Sequence, residues 1–228
     1  MKGLLFWTGA FLLMSCAALP EIRPSAGPGQ QTIVCPSPFL TEKTRLIHSI
    51  EAQMQGETKA VMIGVTLADP VTRTLSSAIM SAEGMVLFDA IRGPSGMTVS
   101  RALPPFDAAD FARNMMDDIE LIFLTPSGTL AQRGVLAEGN QVCRWHEKPG
   151  GWIDVAQAHE RRIYIRRYSE GGELKRSVRL DEKINNPYAA IELRAAELFN
   201  YTLVMTLIES EPAKDEPQLK EKVQGPHP

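Results

Sequence analysis

Cysteine, histidine and excess positive charge are all scarce in this 228-residue chain, and each scarcity removes a class of function. There are three Cys and four His in all. His48, His146, His159 and His227 show no ligand spacing, and the cysteines are too dispersed to complete a site, so no metal centre is expected. Lys and Arg number 24 against 27 Asp and Glu, which leaves no basic field for nucleic acid. There is no Gly-rich phosphate loop, nucleophile elbow or internal repeat. Ser, Cys and His do not assemble into any catalytic arrangement, so neither an enzyme nor a cofactor is expected. Nor is there an apolar run of the roughly 20 residues that a membrane-spanning helix needs.

The longest apolar run stands at the start. Lys2 precedes Gly3 to Met14 (GLLFWTGAFLLM), and Leu13-Met14-Ser15-Cys16 follows. A short apolar run behind a basic residue reads as a secretory signal. The Cys after Leu-Met-Ser resembles the lipobox of bacterial lipoproteins, with Leu13 in the aliphatic position and Ser15 before the cut. That resemblance implies a signal peptide over 1–15 and a Cys16 carrying a diacylglyceryl thioether and an N-acyl chain, an anchor of more than one chain. The other reading is an ordinary secretory signal cut near Ser15 or Ala18. By the rule for enteric bacteria, Ala17 in place of Asp after the lipidated Cys points to the outer membrane, periplasmic face. Residues 16–38, with Pro20, Pro24, Gly27, Pro28 and Gly29, read as a lipidated Cys followed by a flexible tether. Residues 211–228 (EPAKDEPQLKEKVQGPHP) read as a disordered tail that includes His227.

Between them, 39–210 is the size of a single domain. In an oxidising compartment Cys35 and Cys143 either form a disulfide or remain two buried thiols. Phe39 to Gln55 has Leu46, Ile47, Ile50 and Met54 on a helical stripe, with Thr41 as N-cap and Gly56 as stop, so a helix is expected; His48 falls on it as a surface or half-buried residue. Strands are then expected at 60–68, 72–81, 85–91 and 97–100, separated by Asp69-Pro70, Glu83-Gly84 and Arg92-Gly93-Pro94. Pro104-Pro105 opens a helix from Phe106 to Met116 that ends at Asp117-Asp118 or continues through Ile119 to Leu124. Asp107 and Asp110 suit a first helical turn better than a metal. More strands are expected at 129–138, 141–146, 153–156, 161–168, 174–181, 189–194 and 201–209, with hairpins at Gly139-Asn140 and Gly171-Gly172. The densest positive cluster, Arg161, Arg162, Arg166 and Arg167, reads as the solvated face of an antiparallel strand or as an anion site.

This order of elements resembles the LolA/LolB lipoprotein-carrier fold, and more nearly the small uncharacterised lipoproteins related to the LolB receptor. Two stretches carry the resemblance. One is Gly56 to Ile91, where Leu75…Ile79-Met80-Ser81-Ala82-Glu83-Gly84-Met85-Val86-Leu87 matches a strand, Gly turn and strand. The other is Pro187…Ile191-Glu192-Leu193…Tyr201-Thr202-Leu203-Val204-Met205, the closing pair. The resemblance implies an α+β, mainly β, domain: an incomplete antiparallel barrel, or curved sheet, with helices covering its open side and acyl chains held within. It stops short of membrane delivery, because Ser81-Ala82-Glu83-Gly84 presents no large apolar residue and Met97 lies elsewhere. Strand parity then puts Val61, Ile63, Val65, Ile79, Leu87, Phe111, Met115, Ile191, Leu203 and Met205 around a lipid, with methionines suiting an adaptable pocket. The expected partners are a membrane through the anchor, an acyl chain or lipoprotein, and an envelope protein. The competing function is an envelope scaffold with a filled core. An enzyme would require His146, His159 and Asp154 to converge.

Overall fold

The structure is a computed structural model that describes residues 19–24, 33–54, 56–158, 161–183, 186–196 and 200–213. The signal segment, Cys16, His159 and tail residues 214–228 lie outside the described residues. Twelve strands make one antiparallel sheet: β1 (Thr44–Met54), β2 (Glu57–Asp69), β3 (Thr74–Ser81), β4 (Val86–Gly93), β5 (Gly96–Ala102), β6 (Thr129–Val135), β7 (Gln141–His146), β8 (Trp152–Gln157), β9 (Arg162–Tyr168), β10 (Leu174–Lys183), β11 (Asn186–Ala195) and β12 (Tyr201–Pro212). The helix α1 (Ala109–Phe123) interrupts them between β5 and β6. Neighbours follow the chain except at one place, where β1 pairs with β12 and joins two meanders in the order β5-β4-β3-β2-β1-β12-β11-β10-β9-β8-β7-β6.

The sheet does not close, since β5 and β6 remain its two ends. Laid flat, twelve strands would span about 50 Å at about 4.8 Å per neighbour, while a 15-residue helix is only about 22 Å long. Yet Leu75 and Phe88 at one side and Val155 and Ile165 at the other belong to one apolar cluster with Met116 and Ile122 of α1. Curvature around the helix reconciles these lengths. The result is an open, curved sheet with one helix on its concave side.

The main departure from the sequence reading is at 39–55. The expected helix is the central strand β1, paired with β2 and β12 along its whole length. Leu46, His48 and Ile50 alternate inward with Ile47 and Ser49 between them. A stripe at i, i+1, i+4 and i+8 also contains a period of two, and β-branched Ile47 and Ile50 favour the extended form. Thus α1 is the one helix among the described residues, where two were expected. It starts at Ala109, later than Phe106, and takes the longer of its two expected extents, to Phe123. β12 also runs past residue 210, with Glu211 and Pro212 paired to Arg45 and Thr44.

The segment read as a tether is fastened in two places. Arg23 exchanges both backbone hydrogen bonds with Val135 at the free edge of β6. Pro20 accepts from the buried Arg144, and Ile22 packs on Leu136, Val142 and Ala156. Gly134 permits this approach, because a Cβ there would stand 2.2 Å from the carbonyl oxygen of Arg23. Further on, Cys35 and Cys143 form a disulfide, with Cα atoms 5.5 Å apart. The outer-face residues of β7 and β8 are therefore covered rather than solvated.

Candidate functional site

The concave face is built by cross-strand register. Ala52, Ile50 and His48 of β1 face Leu203, Met205 and Leu207 of β12, which continue into Leu193 and Ile191 of β11 and then Val178 and Leu180 of β10. On the other side, His48 and Ile50 face Gly64 and Met62 of β2, and Gly64 leads to Ile79 and Phe88. Helix α1 lies over this surface. Ala112, Met116, Ile119 and Phe123 form its buried stripe at helical spacing, while Phe111, Arg113 and Asn114 face solvent. Its end is buried all round, with Leu121, Ile122, Phe123 and Leu124 each about 2% exposed. Small residues on β2 to β4 (Gly64, Ala68, Ser77, Ala90) make room for the helix, and the Oγ of Ser77 is buried without a hydrogen-bond partner.

Adjacent acidic residues tie α1 to opposite halves of the sheet. Asp117 pairs with Arg92 of β4, and Glu120 with Arg73 beside β3. Asp118 accepts from Arg176 of β10 at 2.8 Å and from the hydroxyl of Tyr201 of β12 at 2.8 Å. Burial pushes the Asp118 carboxyl upward in pKa, against the lowering pull of Arg176 and Tyr201. Adjacent on the helix, Asp117 and Asp118 point apart, one to each half of the sheet. His48 is buried rather than superficial: its Nε2 lies 3.3 Å from the carbonyl of Tyr188, its ring centroid 6.0 Å from that of Phe123. Desolvation lowers its pKa from 6.5, opposed by the Tyr188 carbonyl.

Of the ten residues expected around a lipid, Ile79, Ile191 and Met205 are buried in the concave cluster, and Leu87, Met115 and Leu203 pack against it. Phe111 stands at the rim, edge-on to Phe106 with centroids 5.5 Å apart. Val61, Ile63 and Val65 face the opposite way, with Val61 51% exposed. β2 is apolar on both faces, so alternation could not choose between them, and Met62, Gly64, Thr66 and Ala68 take the inner positions. The misread β1 hid Leu46, His48 and Ile50. Asp118, Arg176 and Tyr201 carried no local signal at all, because they meet across 58 and 83 residues.

The concave face is filled by helix α1. Two surface pockets, of about 320 and 830 Å³, include none of the ten. No catalytic group emerges at Asp154, whose two oxygens accept from Arg144 at 2.6 and 2.7 Å. His146 packs against Trp152 with the rings tilted and their centroids 4.7 Å apart. Among the described residues no three His, Cys, Asp or Glu side chains gather as a metal site, and Asp110 pairs with Arg113. No helix there is long and apolar enough to cross a membrane.

The chain resembles a LolA superfamily protein. The crystal structure of that protein, from Nitrosomonas europaea, matches 78% of this chain and 89% of its own at a TM-score of 0.47 and 13% identity. No protein-family model and no curated protein matches the sequence. At that identity no residue role passes from one chain to the other.

Proposed function

We propose that this chain is a non-enzymatic carrier that takes the acyl chain of a lipid or lipoprotein between helix α1 and the concave sheet. In this reading Cys16 is lipidated and anchors the domain at the periplasmic face of the outer membrane. One observation carries the proposal: a continuous apolar sheet face is covered by a single helix whose N-terminal end is at the rim and whose flanks are held by ion pairs. A second sheet would bury that face permanently. A lone helix fixed by polar contacts is a smaller unit to displace, and each CH₂ a ligand buries there contributes about 0.8 kcal/mol. Met115, Met116 and Met205 supply adaptable surface.

The test is native mass spectrometry of the secreted chain carrying Cys16→Ala, probed for co-purified lipid and for uptake of a fluorescent fatty acid. Bound lipid that is lost in Leu203→Asp, with the fold intact by circular dichroism, supports the carrier. A clean apo mass with no uptake overturns it. The envelope scaffold would then take its place, favoured by the apolar outer face of β2 to β4, where Val61 and Ile91 are half exposed.

A further inference from the structure

The larger pocket lies at one end of the sheet, with its arginines on the outer face. It has a volume of about 830 Å³, within the range of small-molecule sites. It sits where the N-terminal strap, the β9–β10 hairpin and the ends of β11 and β12 meet. Among the described residues its charged lining is Arg166 and Arg194, with no carboxylate. The register explains how they converge: Arg194 of β11 is paired with Ser177 of β10, and Ser177 with Arg166 of β9. Alternate neighbours in one file stand about 10 Å apart, so two guanidiniums flank one hydroxyl.

The electrostatics leave this file short of negative charge. Further along it, Asp154 is fully engaged by Arg144. Glu192 is shared between Arg194 and Arg179. Arg166 makes no ion pair among the described residues; its guanidinium carbon lies 5.3 Å from the ring centroid of Tyr164. Beside the arginines an apolar or aromatic wall from Pro20, Tyr168, Leu174 and Ala195 faces polar groups of Gln53, Asn200 and Thr202. A half-buried guanidinium without a carboxylate, next to a second one and an apolar wall, suits an anion attached to a hydrocarbon chain.

We infer that this pocket binds a single-chain amphiphile with a phosphate or carboxylate head, the head between Arg166 and Arg194 above Ser177 and the chain along Leu174 and Ala195. The inference is separate from the carrier reading, because Arg166, Ser177 and Arg194 lie on the opposite face from Leu203 and Met205 and none of the ten residues expected around a lipid lines the pocket; Tyr201 is a wall residue that also reaches α1, through Asp118. It also gives the arginine-rich strand a division of labour. Arg167 turns to the other face to meet Glu147 at 3.1 Å, leaving Arg166 for a ligand.

Calorimetric titration of the Cys16→Ala chain with dodecyl phosphate tests it, with dodecanoate, dodecyl maltoside and inorganic phosphate as comparators. One dodecyl phosphate per chain is expected, and dodecanoate should also bind. Affinity should fall roughly tenfold or more in Arg166→Gln and in Arg194→Gln, the loss expected for a charged hydrogen bond. Leu174→Glu, on an exposed rim, provides a variant that spares both arginines and should weaken the anionic ligands while leaving the fold unchanged. A photoreactive dodecyl phosphate should label Tyr168 or Leu174, and binding should survive Leu203→Asp. Absence of binding, indifference to both arginine substitutions, or inorganic phosphate binding as tightly as the dodecyl ester would overturn the inference. Labelling confined to Met115 and Leu203 would overturn it too, while agreeing with the carrier.

Discussion

The two meanders of the sheet are built on different economies. In β7 and β8 both faces are occupied. Ile153 and Val155 fill the concave side, while Arg144, Asp154 and Ala156 are buried beneath the strap on the other. The same half holds the disulfide and the Arg23 bridge to the edge strand. In β2 to β4 only the concave face is buried, with small or polar residues such as Gly64, Thr66, Ala68 and Ser77, and the outer face leaves Val61 and Ile91 half exposed. One half is a rigid, double-sided layer and the other a thinner one against which the helix leans. An open sheet can thus keep one half covered on both faces and the other on one, while the helix is ion-paired to both, through Asp117 and Glu120 on one side and Asp118 on the other.

That contrast can be broken from the rigid side first. Asp154→Ala leaves Arg144 buried without its carboxylate and should cost about 3–5 kcal/mol in a urea unfolding series. The double variant Arg144→Met with Asp154→Ala should recover most of it, because the loss belongs to the orphaned charge rather than to the pair. Removing the disulfide with Cys35→Ser, across a separation of 108 residues, should cost about 2–5 kcal/mol. It should also raise protease sensitivity around residues 33–38 more than around β2 to β4. On the thin side, Val61→Lys should change stability by about 0.5 kcal/mol or less, while Ile79→Ala, on the buried face of the adjacent strand, should cost about 2–5 kcal/mol. Equal losses for Val61→Lys and Ile79→Ala would mean that the outer face is covered after all.

Legibility followed the same division. Where one face is buried and the other wet, alternation was informative: Ile163 and Ile165 were readable as a pair opposed to Arg162, Tyr164 and Arg166, and they are buried. In β2 the run Val61-Met62-Ile63-Gly64-Val65 offered no such contrast, and Val61, Ile63 and Val65 were assigned to the wrong face. For the concave site, Ile79, Ile191, Leu203 and Met205 were legible through strand parity. His48 and Asp118 were not, since each acquires its role only from partners distant in sequence. The outer pocket was half legible: the arginine cluster was visible, but its pairing through Ser177 to Arg194 depends on register.

The sequence by itself determined that strands dominate this chain and that a helix beginning near 106 stands between two runs of them, because turn residues and local periodicity act over a few neighbouring positions. It also determined which strands are amphipathic wherever polar and apolar residues alternate. Only the tertiary structure decided that 44–54 is a central strand, since its pattern satisfies two periods and pairing with both β2 and β12 selects the extended one. It decided likewise which face of β2 turns inward, and that the supposed tether is a strap seated on Gly134. In each case two local conformations, faces or paths are nearly balanced, and contacts across the fold supply the difference.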